Sequence, residues 1–105
     1  MATSAEIKSQ MAILAKARSA SLHEKSFDEL SALPEVHAEE VSVLGKAVTL
    51  TTYRSKHAAN RLLIVVQALR ETLFGITAQI CVDGFVVSTS GEKVNATKEM
   101  LWDYH

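Results

Sequence analysis

The segment LLIVVQAL at residues 62–69 decides the fold that this sequence can adopt. Both its odd and its even positions are apolar, with Gln67 as the one exception. Successive side chains of a β-strand point to opposite faces of the sheet, so a strand of this composition needs cover on both faces. We therefore predict a central strand, sheltered either by helices of the same chain or by a second copy of the protein.

The sequence before this segment alternates between apolar and polar residues, the period of two that is typical of half-buried strands. The alternation covers residues 41–53, and Gly45-Lys46 interrupts it in a way that suits a two-residue type II′ hairpin turn. Residues 54–60 then have the composition of a strand end and a turn. The pattern predicts antiparallel strands joined by short turns.

Further strands are predicted after the central one. Residues 70–75 have the composition of a loop or a single turn, and alternation resumes at Ile76. Asp83-Gly84 is a strong two-residue hairpin signal, which would return the chain through residues 85–87. The polar stretch that follows is expected to be a loop.

Helix-start signals lie near the beginning of the chain. Thr3 and Glu6 have the spacing of a capping box, and good helix formers follow, which predicts a first helix to about Leu22. The same spacing recurs at the start of a second short helix over residues 27–33. Pro34 would end that helix, because proline lacks a backbone N–H and disfavours helical geometry in the preceding residue.

The order of elements favours an α+β fold. Asn95 can cap a last helix that includes Met100 and Leu101, so helices and strands are segregated along the chain rather than alternating. A length of 105 residues fits one domain spanning residues 1–105. We predict an N-terminal helix, a short helix, an antiparallel β-meander of four to five strands and a C-terminal helix.

Composition excludes several classes of protein. Hydrophobic residues make up 48% and charged residues 22%, which is close to the average globular protein and unlike a disordered or low-complexity chain. The single cysteine, Cys81, cannot form an internal disulfide, so a disulfide-stapled secreted scaffold is excluded. Charged residues interrupt the first twenty positions, and the longest apolar run, residues 62–66, is far shorter than the roughly 20 residues of a membrane helix. We expect a soluble cytoplasmic protein that does not contact a membrane.

The net charge of −1 conceals a basic strand region between two acidic ends. Residues 41–82 carry five Lys or Arg and one acidic residue. Four basic side chains concentrate at one predicted turn, the basic turn: Arg54, Lys56, His57 and Arg61. This turn could bind an anion such as phosphate, nucleic acid or an acidic partner, although solvated turns collect basic residues without binding anything. A sequence pI of 6.4 and few nearby aromatic residues disfavour nucleic acid.

No catalytic or metal-binding motif is recognisable in the sequence. Its four glycines are isolated, which excludes a phosphate-binding loop, and its four histidines lack the usual zinc spacings. Cys81 lies in a predicted strand with no histidine beside it, so packing explains it better than nucleophilic catalysis. We predict no catalytic residue, no metal and no cofactor. The alternative is a small enzyme with a pocket between sheet and helices that uses His57 or Cys81.

Three further residues bear on possible partners. Arg18 lies within the apolar stripe of the first helix, so it must snorkel, pair with a carboxylate or face an anion. Trp102 and Tyr104 cannot both face one narrow seam together with Leu101, because successive helical residues are about 100° apart. They predict an interface with a second copy or with another protein. Our preferred function is therefore a small non-catalytic binding protein, such as an adaptor, an inhibitor or a regulatory subunit, that forms a homodimer.

Overall fold

The computed structural model of the chain describes residues 3–72 and 77–105. These residues form a five-stranded antiparallel sheet with helices before and after it along the chain, which confirms the α+β class and the predicted order of elements. The helices are α1 (Ser4–His23), α2 (Phe27–Ser31) and α3 (Lys98–Leu101), which continues into a 3₁₀ turn (Trp102–Tyr104). The strands are β1 (Val36–Val43), β2 (Lys46–Ala58), β3 (Arg61–Thr72), β4 (Thr77–Ser88) and β5 (Lys93–Asn95). None of the helices within the described residues is long and apolar enough to cross a membrane.

The sheet is a simple meander with the strand order β1-β2-β3-β4-β5, so strands adjacent in sequence are also adjacent in space. β3 has a neighbour on each side, since Ile64 pairs with Arg54 of β2 and with Phe85 of β4. The central strand predicted from residues 62–69 is thus confirmed. β2, β3 and β4 are 13, 12 and 12 residues long, which gives the molecule its extents of 47 × 22 × 20 Å.

One face of the sheet, the inner face, is covered by α1, which packs across β3 and β4. The helix begins where Oγ1 of Thr3 accepts a hydrogen bond from the backbone N–H of Glu6 at 3.1 Å, as the spacing of these residues predicts. Its buried residues recur at intervals of three or four, so that one stripe faces the strands. That stripe consists of Ile7, Met11, Ala15, Ser19 and Leu22. It meets the even-numbered side chains of residues 62–68 in β3.

The opposite face of the sheet, the outer face, is covered at one end by the terminal segment, residues 96–105. Leu63 and Val65 of β3 belong to a buried cluster on this face that Leu101 and Tyr104 complete. Both faces of β3 are therefore sheltered by the same chain over this part of its length. A second copy is not needed to cover these side chains.

The predicted hairpin at Asp83-Gly84 is wrong. β4 runs through both residues without interruption, and Gly84 pairs with Val65 in the middle of β3. Glycine is required here by close packing: a Cβ atom at this position would lie 2.5 Å from the carbonyl oxygen of Ile64 and 3.2 Å from Cδ2 of Leu101. A glycine that permits a close approach and a glycine that forms a turn look the same in a sequence.

The first hairpin turn is displaced by one residue from its predicted position. The two turn residues are Leu44 and Gly45, and Lys46 already pairs with Val43. Both turn residues have positive φ, 50° and 80° respectively. This is the pattern of a type I′ turn rather than the predicted type II′ turn.

Strand ends also lie beyond their predicted positions. β2 continues to Ala58, so most of the predicted turn at 54–60 is strand and the chain reverses at Ala59-Asn60. β3 likewise continues to Thr72, because pairing with β4 extends along its whole length. The rest of the predicted loop, and Ile76 after it, lie outside the described residues.

The last helix begins later than predicted. Thr97, rather than Asn95, is its cap, because Oγ1 of Thr97 accepts a hydrogen bond from the backbone N–H of Met100 at 3.3 Å. Asn95 instead ends β5, paired with Phe85. Within the stretch expected to be a loop, the chain forms the hairpin between β4 and β5, in which the N–H of Gly91 donates to the carbonyl of Ser88 at 2.9 Å.

Candidate functional site

The structure divides the basic turn between the two faces of the sheet. Arg54 and Lys56 pair with β3 residues whose side chains lie on the inner face, and directly paired residues share a face. A β-bulge shifts the register after Lys56. Beyond the bulge, His57 and Arg61 line a pocket that also contains outer-face residues. The four basic side chains therefore do not form one site.

Arg54 has a structural role in this arrangement. Its Nε donates a hydrogen bond to the carbonyl of Leu33 at 2.7 Å, and its backbone N–H donates to the carbonyl of Glu35 at 2.9 Å. These bonds fasten the connection between α2 and β1 to the sheet. Half-buried and already bonded, Arg54 is a poor candidate for an anion ligand.

His57 and Arg61 meet residues of the hairpin between β4 and β5 and of the last helix in a small cavity, which we call the turn-end pocket. It has a volume of about 140 Å³, below the roughly 300–1,000 Å³ of most sites for drug-sized ligands. Buried Val86 and half-buried Met100 give it an apolar floor, and both polar and apolar side chains surround its mouth. Its lining residues are His57, Arg61, Val86, Ser88, Glu92, Val94, Asn95, Thr97 and Met100.

Several polar groups of the turn-end pocket are already bonded within the chain. Ser88 Oγ shares a hydrogen bond with Ser90 Oγ at 2.7 Å, and Oγ1 of Thr97 caps the last helix. Arg61 and His57, by contrast, form no side-chain hydrogen bond or ion pair with any described residue. Their donors, together with the side-chain amide of Asn95, are free to meet a ligand.

Sequence reasoning found two residues of this pocket and missed the rest. The missed residues reach the pocket through the hairpin between β4 and β5, which the misplaced turn at Asp83-Gly84 hid. The sequence feature that could have predicted this hairpin is the polar run Ser88–Glu92. It contains Gly91, which has a φ of 89° and lies where the chain reverses.

Cys81 lies on the inner face and is half-buried. Its Sγ donates a weak hydrogen bond to the carbonyl of Lys8 at 3.6 Å, and burial raises the pKa of the thiol above its ordinary value. A raised pKa lowers the thiolate fraction at neutral pH, the reverse of what an activated nucleophile needs. Among residues 3–72 and 77–105, no three His, Cys, Asp or Glu side chains are grouped so as to hold a metal ion.

Arg18 pairs with a carboxylate, one of the three outcomes expected for it. Its Nη1 forms an ion pair with Oε1 of Glu39 on β1, and both side chains are about one-third exposed. That Oε1 atom is shielded from water and accepts no well-directed hydrogen bond. The positive charge of the Arg18 guanidinium therefore offsets the cost of removing the carboxylate oxygen from water. The pair connects α1 to the edge strand of the sheet.

The two residues predicted to form an interface have different environments. Tyr104 packs on Tyr53, with ring centroids 4.9 Å apart, and its carbonyl accepts a hydrogen bond from Nε2 of Gln67 at 2.5 Å. It therefore holds the terminal segment on the outer face. Trp102, two residues earlier, is 76% exposed.

Beyond the terminal segment the outer face continues as a second half, which we call the open half. Its residues on the three central strands are Thr49, Thr51, Gln67, Leu69, Glu71, Ala78, Ile80 and Val82. Leu69, Ile80 and Val82 are half-buried and stay partly in contact with water, although Leu69 and Ile80 pair directly across β3 and β4. Apolar side chains thus occupy positions that face solvent in the single chain.

The chain has no significant match among protein-family models, curated proteins or solved structures. The functional proposals that follow therefore depend on the geometry of the open half and of the turn-end pocket.

Proposed function

We propose that this is a cytoplasmic, non-catalytic binding protein that associates with a second copy of itself through the open half of the outer face. The observation that carries the proposal is the composition of that surface. An antiparallel sheet with one solvated face normally places polar residues there, whereas here Leu69, Ile80 and Val82 occupy such positions. Thr49 and Ala78 lie beside these apolar residues, and the carboxylates of Glu40 and Glu71, paired with them, border the apolar group.

A second copy is the occupant that this surface fits best. A twofold axis brings the same flat patch of each copy together, so that apolar rows meet apolar rows. Sheets stacked in this way lie about 10 Å apart with interdigitated side chains. Trp102 lies in the terminal segment, which is held on Gln67 of the open half through the carbonyl of Tyr104. Its exposed ring would add an aromatic contact at the edge of the interface.

The size of the open half limits the strength of association. Three strands about 4.8 Å apart, each contributing about six residues of about 3.3 Å, give a flat area of about 300 Å² per copy. Stable complexes bury about 800 Å² per partner. We therefore expect a dimer that dissociates as the protein is diluted through the micromolar range.

Sedimentation equilibrium over a range of concentrations tests this proposal. We expect the mass to rise from 11.5 kDa towards twice that value, and Ile80→Glu to keep the protein monomeric. Ile13→Glu is the matched control: Ile13 is 59% exposed on α1, so the same charge placed there should leave association unchanged.

The outcomes of this experiment are distinct. A wild-type chain that stays monomeric at several hundred micromolar contradicts self-association. Equal effects of the two substitutions would show that the contact lies elsewhere. Leu69→Thr, which introduces a polar but β-branched residue suited to a strand, should weaken association without the risk of unfolding that a buried charge brings.

A further inference from the structure

We propose that the turn-end pocket binds a small monocarboxylate with an apolar body, whose carboxylate meets Arg61 and whose body contacts Val86 and Met100. This site lies at the opposite end of the outer face from the open half, so it does not depend on the proposed self-association.

The anion-binding group is Arg61. Its guanidinium presents paired N–H donors in the geometry that a carboxylate accepts through both oxygens. Arg61 is exposed and forms no ion pair with any described residue, so no internal bond has to break when a ligand binds. His57, on the same pocket wall, adds a second unused donor.

The charge of the pocket favours a monoanion. Glu92 lines the same cavity and would repel a phosphate dianion or a nucleic-acid backbone more strongly than a single carboxylate. The cavity of about 140 Å³ holds about five water molecules at about 30 Å³ each. It is too small for a nucleotide.

The apolar floor selects for a ligand with a hydrocarbon body. Val86 is buried in the sheet, Met100 is half-buried above it, and Val94 is 59% exposed at the mouth. A ligand that covers these side chains removes apolar surface from water, which is favourable in proportion to the area covered. Acetate would leave them uncovered, whereas an aromatic or branched carboxylate would not.

The test is a titration of the ¹⁵N-labelled full chain with benzoate, followed by two-dimensional NMR. We expect saturable shifts confined to the backbone amides of residues 57–61, 86–88 and 92–97. The dissociation constant should be about millimolar, as befits so small a ligand. Benzyl alcohol, which has a similar body without the charge, and phenyl phosphate, which carries more charge, should each bind about tenfold more weakly.

Matched variants distinguish a built site from a generally basic turn. Arg61→Gln should weaken benzoate binding at least about tenfold, whereas Lys56→Gln, on the inner face of the same hairpin, should leave it unchanged. Glu92→Gln should reduce the preference for benzoate over phenyl phosphate. Each variant spectrum also reports directly whether the chain is folded.

Three results would overturn the proposal: no saturable shift with benzoate, equal losses in Arg61→Gln and Lys56→Gln, or tightest binding of phenyl phosphate. Repeating the titration on Ile80→Glu separates this site from self-association. Benzoate binding that persists in that variant supports the pocket whatever the oligomeric state. Binding that disappears while the spectrum stays folded contradicts a site contained within one chain.

Discussion

Gly84 lies in the middle of β4, at the point where the backbone of β3 and the side chain of Leu101 approach it most closely. We predict that Gly84→Ala lowers the free energy of unfolding by about 2 kcal/mol or more, since the added methyl group meets a backbone oxygen that cannot rotate away. Urea denaturation measures this change.

Gly45→Ala is the matched control for this substitution. Gly45 has a φ of 80° but no atom within 4 Å of an added Cβ, so its cost is limited to about 1 kcal/mol of backbone strain. If the two substitutions cost the same, close packing is not the reason for glycine at position 84.

Cys81 provides a second prediction at the scale of one residue. Because burial raises the pKa of its thiol, iodoacetamide should alkylate the folded chain more slowly than the urea-unfolded chain near neutral pH. The folded chain also retains this proton to higher pH. Its contribution to stability is therefore complete below the pKa of the unfolded thiol and declines as the pH rises through the folded value. Faster alkylation of the folded chain would contradict the packing role.

At the scale of the element, α2 depends on a capping box. The N–H of Glu29 donates to Ser26 Oγ and the N–H of Ser26 donates to Oε1 of Glu29, each at 3.2 Å. Hydrogen bonds donated to the Glu29 carboxyl by Ser26, first by its backbone N–H and then by its hydroxyl, lower the pKa of that carboxyl below its ordinary 4.5. A lowered pKa stabilises the folded state above the unfolded pKa, and that stabilisation is lost as the pH falls through the folded value.

We therefore predict that Glu29→Gln destabilises the chain at neutral pH and that its difference from wild type shrinks below pH 4.5. Thermal unfolding at a series of pH values measures both effects. Asp28→Asn is the control, because the Asp28 side chain takes no part in the capping box. A difference that persists unchanged in acid would mean that the charge of Glu29 is not involved.

The elements that sequence reasoning placed well are those whose signals are local. The capping residues of α1 and of α2 are each only three positions apart. The apolar run of β3, broken only by Gln67, is likewise a short continuous stretch. The hairpin between β4 and β5 was missed because Asp83-Gly84 has strong turn chemistry, and the contact that requires glycine there comes from β3 and Leu101. The same error prevented prediction of most of the turn-end pocket, because the residues that face His57 and Arg61 there belong to that hairpin or follow it.

At the scale of the whole molecule, the terminal segment acts as the lid of the outer cluster. Leu101 contacts Gly84 and completes the cluster around Leu63 and Val65, whereas its neighbour Trp102 points to solvent. We predict that Leu101→Ala costs about 2 kcal/mol of unfolding free energy, the low end for a leucine that is not fully buried. Trp102→Ala should change the stability of the monomer by less than about 0.5 kcal/mol.

Urea denaturation at a protein concentration low enough to keep the chain monomeric measures both substitutions. Because the two residues are adjacent in sequence, the difference between their losses of unfolding free energy reports burial rather than position in the helix. A larger loss for Trp102→Ala than for Leu101→Ala would mean that the tryptophan, and not the leucine, holds the segment in place.

Sequence reasoning also predicted more apolar surface than one chain covers, without specifying where along the strands it lies. The expectation was based on the two apolar faces of residues 62–69, and the terminal segment covers most of the second face. The surface left over lies farther along the same strands, at Leu69, Ile80 and Val82. Contacts between residues distant in sequence determine where along a strand the short terminal helix packs. The sequence alone therefore does not reveal that position.

The length of the three central strands has a consequence for how the protein moves in solution. A particle of 47 × 22 × 20 Å tumbles end over end more slowly than it spins about its long axis, and its radius of gyration of 14.3 Å exceeds the roughly 13 Å of a compact chain of this length. A solitary copy should therefore leave a gel-filtration column ahead of rounder proteins of equal weight. Its frictional drag alone would therefore shift its elution in the same direction as dimerisation does.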